Sequence, residues 1–269
     1  MKRRFPIALT LAGSDSGGGA GLQADLKTFA AIGVHGTSAI TCLTAQNPKG
    51  VFGIQAVTPE MVRRQIEAVF AELPPAAAKT GMLFSTAIIR VVVETFSRKG
   101  APPLVVDPVM VATSVARLLK PTAIKTLLGE LLPLATLVTP NLDEAEILLG
   151  HPVRTLEALR EAAREIHERY GCAALVKGGH LSADDLAVDF FNDGRTELLL
   201  TSPRVRGVAT HGTGCTYSAA VTAYLALGRE LPDAVARAKQ FITSSIAESV
   251  RVGEHWALDP LAAREKQKS

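Results

Sequence analysis

Apolar and polar positions along this chain follow two interleaved rhythms. Short β-rich runs recur between longer stretches with the three-to-four-residue spacing of helices. Residues 7–12 predict a strand that enters a glycine loop, and residues 22–32 a helix that stops at Gly33. Residues 38–43 predict a second strand. Residues 59–73 predict an amphipathic helix that opens on Pro59, where a missing N–H costs nothing. Buried-type strands follow at 77–79, 104–106 and 136–139. A helix over 157–169 carries its charges on one face, and 173–176 predicts the next strand. Residues 185–200 break the rhythm and predict an antiparallel hairpin turning at Asn192-Asp193-Gly194. The remainder reads as helical, and the last ten residues as frayed and polar. Strand alternating with helix from end to end implies an α/β chain with a mainly parallel sheet covered on both faces. Ligands of such sheets are met at the carboxyl ends of the strands.

Composition narrows the class. A chain of 269 residues with no repeat, linker or low-complexity segment fits one large domain spanning 1–269. Its 47% hydrophobic and 20% charged content is that of a globular protein rather than a disordered one. The net charge of +3 comes from acids and bases mixed along the chain, with no basic stripe interleaved with aromatics. Nucleic acid is therefore not an expected partner. Met1-Lys2-Arg3-Arg4 before an apolar run has the look of a signal peptide, but the run ends at Gly13-Ser14-Asp15 without a cleavage site, so none is expected. No apolar stretch is long enough to cross a membrane. Cys42, Cys172 and Cys215 are odd in number and far apart, forming neither a zinc pattern nor a disulfide framework. That fits a reducing cytoplasm.

The chemistry-bearing residues gather where strands end. His211-Gly212-Thr213-Gly214-Cys215 runs straight into an apolar, alanine-rich helix pattern. A glycine turn opening onto a helix leaves backbone N–H groups unpaired and, with the helix dipole, makes an anion site. Cys215 sits in that field and is expected to have a lowered pKa; the plainer reading is a small core residue. The loop 13–21 follows the first strand but lacks the Gly-x-x-x-x-Gly-Lys-Ser/Thr string of a P-loop, and a tight turn explains it as well. Asp25 is either a solvated helix residue or a group facing a pocket beneath that loop. Asp107 and Glu144 are single acids at separate strand ends, suited to a Mg²⁺ that keeps most of its waters and bridges phosphates. Helix capping explains Glu144 almost as well. Lys177, before Gly178-Gly179-His180, either caps a strand or reaches a phosphate. Gln46 follows the second strand and offers one donor and one acceptor to a heteroaromatic ring, or braces a turn.

In order along nearly the whole chain, Leu11-Ala12-Gly13-Ser14-Asp15-Ser16-Gly17-Gly18-Gly19-Ala20-Gly21-Leu22-Gln23-Ala24-Asp25-Leu26-Lys27-Thr28, Thr44-Ala45-Gln46-Asn47, Lys79-Thr80-Gly81-Met82-Leu83, Val106-Asp107-Pro108-Val109-Met110, Thr139-Pro140-Asn141, Lys177-Gly178-Gly179-His180 and His211-Gly212-Thr213-Gly214-Cys215 resemble the hydroxymethylpyrimidine/phosphomethylpyrimidine kinases of thiamine biosynthesis. The resemblance implies a three-layer α/β/α ribokinase-like fold. It also implies an enzyme that uses ATP and Mg²⁺ to phosphorylate 4-amino-5-hydroxymethyl-2-methylpyrimidine to its monophosphate and then its diphosphate. Carried over residue by residue, Gln46 matches the pyrimidine-binding amide, and Gly13, Asp25, Met82 and Val109 fall on the substrate pocket. Gly212, Thr213 and Gly214 match the anion hole and Cys215 the catalytic position, where related sugar kinases usually place Asp. Asp107 and Glu144 match metal-associated acids, while Lys177 and Lys239 match lysines near the nucleotide phosphates. The family suggests a homodimer. Some relatives with Gly-Thr-Gly-Cys phosphorylate vitamin B6 alcohols, so a pyridoxal kinase is the neighbouring reading. Thr44-Ala45-Gln46-Asn47 argues for the pyrimidine. A non-catalytic nucleotide-binding protein is the more distant one.

Overall fold

The computed structural model describes residues 5–110, 119–179, 181, 185–208 and 211–266. Among them, nine strands form one sheet in the order β3-β2-β1-β4-β5-β6-β7-β8-β9. The strands are β1 (Ile7–Asp15), β2 (His35–Asn47), β3 (Gly50–Ala56), β4 (Ala77–Thr80), β5 (Leu104–Val106), β6 (Leu137–Val138), β7 (Ala173–Lys177), β8 (Leu186–Asn192) and β9 (Glu197–Pro203). From β2 to β7 every pairing is parallel, and β3, β8 and β9 add antiparallel margins. The chain steps from β1 outward to β2, then returns to β4 on the other side of β1. That reversal opens a crevice at the carboxyl edge, where ligands of open α/β sheets bind.

Alternation along the strands splits the core in two. Leu104, Val106, Ala174 and Val176 face one layer, whereas Val105 and Leu175 face the other. The first layer holds helices α2 (Pro59–Glu72), α3 (Thr86–Phe96), α4 (Pro121–Thr126), α5 (Leu142–Leu149) and α6 (Leu156–Tyr170). The second holds α1 (Gly21–Ile32), α7 (Thr213–Ala226), α8 (Leu231–Ala247) and α9 (Pro260–Lys266). This is the three-layer α/β/α arrangement expected from the sequence.

Four features depart from the pattern reading. Residues 50–56 form a strand, β3, although a glycine interrupts their short run. Helix α3 carries the β-branched run Val91-Val92-Val93, which favours strand locally, yet its other apolar positions repeat at helical spacing and bury Ile88, Ile89, Val92 and Phe96. The chain after the β8–β9 hairpin is not all helical, because β10 (Val250–Val252) pairs with β11 (His255–Ala257). The last ten residues are not simply frayed: α9 covers residues 260–266 and Ala263 is fully buried against the second layer. The N-terminal residues 1–4 and His180 lie outside the described residues.

Candidate active site

One cavity of about 200 Å³ opens at the carboxyl ends of β1, β4, β5 and β7. It is lined by twelve of the thirteen residues singled out from the sequence: Gly13, Asp25, Gln46, Met82, Asp107, Val109, Glu144, Lys177, Gly212, Thr213, Gly214 and Cys215. Lys239 is the exception. Its ammonium, on α8, is held 2.7 Å from Asp189 and 3.2 Å from the Ala187 carbonyl on β8. That buried ion pair ties helix to sheet and sets Lys239 outside the cavity lining.

The first wall is the loop after β1. Asp15 turns its carboxylate back into the loop and accepts from the N–H groups of Gly17, Gly19 and Ala20 at 2.8, 3.1 and 2.8 Å. The donors of this glycine loop are thereby used internally, which makes it a scaffold and not a second phosphate cradle. The opposite wall is the start of α7. Gly212 caps it with φ +81°, and a Cβ there would stand 1.8 Å from the Gly19 carbonyl oxygen. Only glycine lets the two loops touch. Thr216 makes the first intrahelical bond, to Gly212, so the N–H groups of residues 213–215 lie outside the helix's own hydrogen-bond ladder. The buried Thr213 hydroxyl also lacks a hydrogen-bond partner among the described residues. The backbone donors of the first helical turn, the dipole end and the Thr213 hydroxyl form an anion site whose donor set fits a phosphate.

Cys215 is where the electrostatics depart from expectation. Burial pushes its thiol up to about 12; the Asp107 and Asp25 carboxylates add to the rise, while Lys79 and the Gly21 N–H oppose it. The helix terminus does not win over desolvation and two nearby carboxylates, so the expected lowering is overturned. Beneath it, Asp25, which the resemblance placed on the substrate pocket, forms an ion pair with Lys79. Lys79 on β4 and Asp25 on α1 are both fully buried and 2.7 Å apart, with the Thr10 hydroxyl donating to Asp25 at 2.6 Å. Burial works against the Lys79 charge, but Asp25, Cys215 and Asp107 hold its pKa above the ordinary value. The solvated reading of Asp25 is thereby excluded.

The floor beyond the anion hole carries a second charge cluster. Asp107 sits at the end of β5 and accepts from Ser218 at 3.2 Å, Lys177 at 3.4 Å and Thr139 at 3.5 Å. Glu144 is buried at the start of α5, where it completes a capping box: its carboxylate accepts from the Asn141 N–H at 2.9 Å and the Glu144 N–H donates to Asn141 Oδ1 at 2.9 Å. Capping is therefore a role that Glu144 fills in fact, alongside its place on the cavity wall. Burial raises the Glu144 pKa against the pull of Lys177, with Asp107 adding to the rise. Burial likewise opposes the Lys177 charge, which Asp107 and Glu144 restore and raise above its usual range. Among the described residues, no three His, Cys, Asp or Glu side chains converge as a metal cage. Two carboxylates beside an anion hole suit a Mg²⁺ completed by phosphate oxygens and water.

His211 is a residue without an earlier role. Its Nε2 stands 3.4 Å from Asp15 and 3.5 Å from the Gln46 amide, joining the two walls at the rim. Its place directly before the Gly-Thr-Gly-Cys string was the only available signal, because the partners lie 196 and 165 residues away in sequence.

Residues 15–258 match the family model described as phosphomethylpyrimidine kinase. The hydroxymethylpyrimidine/phosphomethylpyrimidine kinase of Synechococcus elongatus is 46% identical over 252 residues, covering 93% of this chain and 94% of that protein. The thiamine biosynthesis bifunctional protein ThiED of Geobacter sulfurreducens is 46% identical over 270 residues, covering 98% of this chain. The chain spans only 55% of that bifunctional protein. Among solved structures, an ADP complex of Bacillus subtilis pyridoxal kinase superposes with a TM-score of 0.89 at 37% identity, covering 97% of this chain and 100% of that one.

Proposed function

The chain belongs to the phosphomethylpyrimidine kinase family, and on that premise we propose that its cavity performs both phosphorylations, with ATP as donor and 4-amino-5-hydroxymethyl-2-methylpyrimidine and then its monophosphate as acceptors. It is a kinase of thiamine biosynthesis, as its relatives are. The observation that supports the reading is that Gln46 and the residue 212–215 cradle line one cavity. A ring held by the Gln46 amide thus lies beside donors arranged for a transferring phosphoryl group.

The residues divide the work as follows. Gln46 orients the ring, and Gly13, Met82 and Val109 give the wall its shape. A Cβ at Gly13 would stand 2.7 Å from the Cys42 sulfur, so the β1 backbone approaches its neighbour closely there. The N–H groups of residues 213–215 at the helix start and the Thr213 hydroxyl stabilise charge on the phosphoryl group, where positioning and electrostatics do most of the work. Lys177 supplies a fixed positive charge to nucleotide phosphates. Asp107 and Glu144 would hold Mg²⁺, which neutralises phosphate charge when bound. Asp25 positions Lys79 beneath Cys215 rather than touching the ring.

Cys215 stands nearest the cradle and is the candidate base for the acceptor hydroxyl. A thiol raised to about 12 is protonated at neutral pH, so only its small ionised fraction accepts a proton. The second step needs less of it, because a phosphate acceptor is already ionised. A pyridoxal kinase is the second reading, favoured by the likeness to the B. subtilis pyridoxal kinase. Purified protein with Mg-ATP, the pyrimidine and pyridoxal side by side, with products resolved by mass, separates the two. Mono- and diphosphorylated pyrimidine support the proposal, and faster turnover of pyridoxal overturns it.

We place the enzyme in the cytoplasm, since Cys42, Cys172 and Cys215 are all free, and we read it as a homodimer of one kinase domain over 1–269. The edge strand β3 supports the dimer: Phe52 is 70% exposed, with Leu43 and Ile54 also exposed on the same hairpin. No helix among the described residues is long and apolar enough to cross a membrane.

A further inference from the structure

The hydrogen bonds around the Gln46 amide contain a conflict of protons. Thr44 Oγ1 lies 2.8 Å from the Ser14 carbonyl oxygen and 3.1 Å from Gln46 Oε1. Both are acceptors, and a hydroxyl has one proton to give. On the other side, Gln46 Nε2 stands 3.5 Å from His211 Nε2, which also lies 3.4 Å from Asp15 Oδ2. If the amide nitrogen donated to that ring nitrogen, the ring would turn a lone pair toward a carboxylate. Burial opposes charge on Asp15, but the hydrogen bonds from His211, Ala20 and Gly17 hold its carboxyl below the ordinary range, so it is an ionised acceptor. Turning the amide by 180° about its last torsion exchanges oxygen and nitrogen without changing its shape. Both conflicts then vanish. Thr44 donates to Ser14 and accepts from the amide nitrogen, while His211 carries its proton on Nε2 and shares it between Asp15 and the amide oxygen.

We infer that Thr44 and His211 are positioning residues that fix the Gln46 amide with its nitrogen toward Thr44 and its oxygen toward His211. The second N–H and the second oxygen lone pair are then left for a ligand in a set order. That order suits a heteroaromatic ring with an acceptor nitrogen beside an exocyclic amine, and admits it one way round. A ring bearing a phenolic oxygen and an aldehyde, as in pyridoxal, does not match the pair. The inference rests on the pyrimidine reading and deepens it: selectivity depends on a hydroxyl that acts through Gln46.

Two variants test this. Thr44→Val keeps the shape and removes the hydroxyl; Thr44→Ser keeps the hydroxyl. Steady-state kinetics with the hydroxymethylpyrimidine and with pyridoxal, alongside melting temperature, give the readout. Thr44→Val is expected to raise the pyrimidine KM about tenfold while kcat falls by no more than about twofold. The ratio of pyrimidine to pyridoxal kcat/KM falls with it, and the KM for ATP holds. Thr44→Ser restores the wild-type ratio to within about twofold. Should Thr44→Val prove unstable, Thr44→Ser carries the test alone, because a serine variant that loses the selectivity overturns the inference. So does a folded valine variant with wild-type KM. A wild type that leaves the pyrimidine unphosphorylated overturns the functional reading itself, whereas an active wild type with an indifferent valine variant overturns only the role of Thr44.

Discussion

At the scale of the residue, the Cys215 thiol makes the sharpest statement about chemistry. With its pKa pushed up to about 12, its ionised fraction grows about tenfold per pH unit across the working range. If that fraction is the base, kcat for the first phosphorylation rises from pH 7 to pH 10 and the second phosphorylation stays nearly flat. Cys215→Ala should remove the rise and lower the first step by about 10²–10⁴-fold at the upper end of that range. A first step that is flat with pH in the wild type, and unchanged in the variant, would leave the backbone cradle as the whole mechanism. Asp107 and Glu144 part company at the same scale. Glu144→Gln keeps a side chain able to complete the capping box, so its melting temperature should stay close to wild type while the Mg²⁺ requirement rises. Glu144→Ala should also lose its half of the capping box, the bond from the Asn141 N–H, at a cost of about 1 kcal/mol. Asp107→Asn should raise the Mg²⁺ requirement too, with partial rescue by Mn²⁺. Unchanged Mg²⁺ titrations in Asp107→Asn and Glu144→Gln would return both acids to structural duty.

Between elements, the contact that matters is loop on loop. The α7 cap and the loop after β1 meet at Gly212, whose Cβ-free backbone lies against the Gly19 carbonyl. Gly212→Ala should therefore displace the cradle by steric force and by the strain of φ +81°, dropping kcat about 10²-fold or more while circular dichroism stays native. A variant with wild-type kcat would mean the cradle tolerates a shift that the geometry forbids. This level also shows what a sequence discloses. Elements with strong period and clear punctuation were legible: the 59–73 pattern became Pro59–Glu72, and 157–169 became Leu156–Tyr170. The cradle was legible because its chemistry is contiguous from His211 to Cys215. Strand β3 was not, since its pairing with β2 supplies what its own short, glycine-broken run does not. The role of Asp15 was hidden for a different reason. Whether a glycine loop offers its N–H groups to a ligand or to its own aspartate depends on one side-chain torsion. The ion pair of Lys239 was hidden likewise, because its partner Asp189 lies 50 residues away on β8. The sign of the Cys215 shift depended on depth: a helix terminus lowers a thiol pKa at a surface, but here two carboxylates share the burial.

At the scale of the whole molecule, the margin of the sheet and the specificity of the site are one problem. The β2–β3 hairpin stands at the sheet edge, and an edge strand with exposed Phe52 and Ile54 is a template for pairing unless something covers it. The same hairpin carries Thr44, Gln46 and Val51 into the cavity wall. A second copy seated on this edge would hide the apolar residues and also brace the ring-binding amide. In the proposed reading nucleotide contacts come instead from α7 and the ends of β5 and β7, none of which belongs to that hairpin. Light scattering should therefore find a dimer, and Phe52→Glu should shift it toward monomer by placing a charge in the covered surface. Loss of bracing should act selectively: the pyrimidine KM rises several-fold on the scale of one weakened polar contact, while the KM for ATP stays at its wild-type value. A wild type that is monomeric at micromolar concentration would remove the dimer. A monomeric Phe52→Glu with unaltered pyrimidine KM would keep the dimer but separate it from specificity, leaving Thr44 and His211 as sufficient supports for the Gln46 amide.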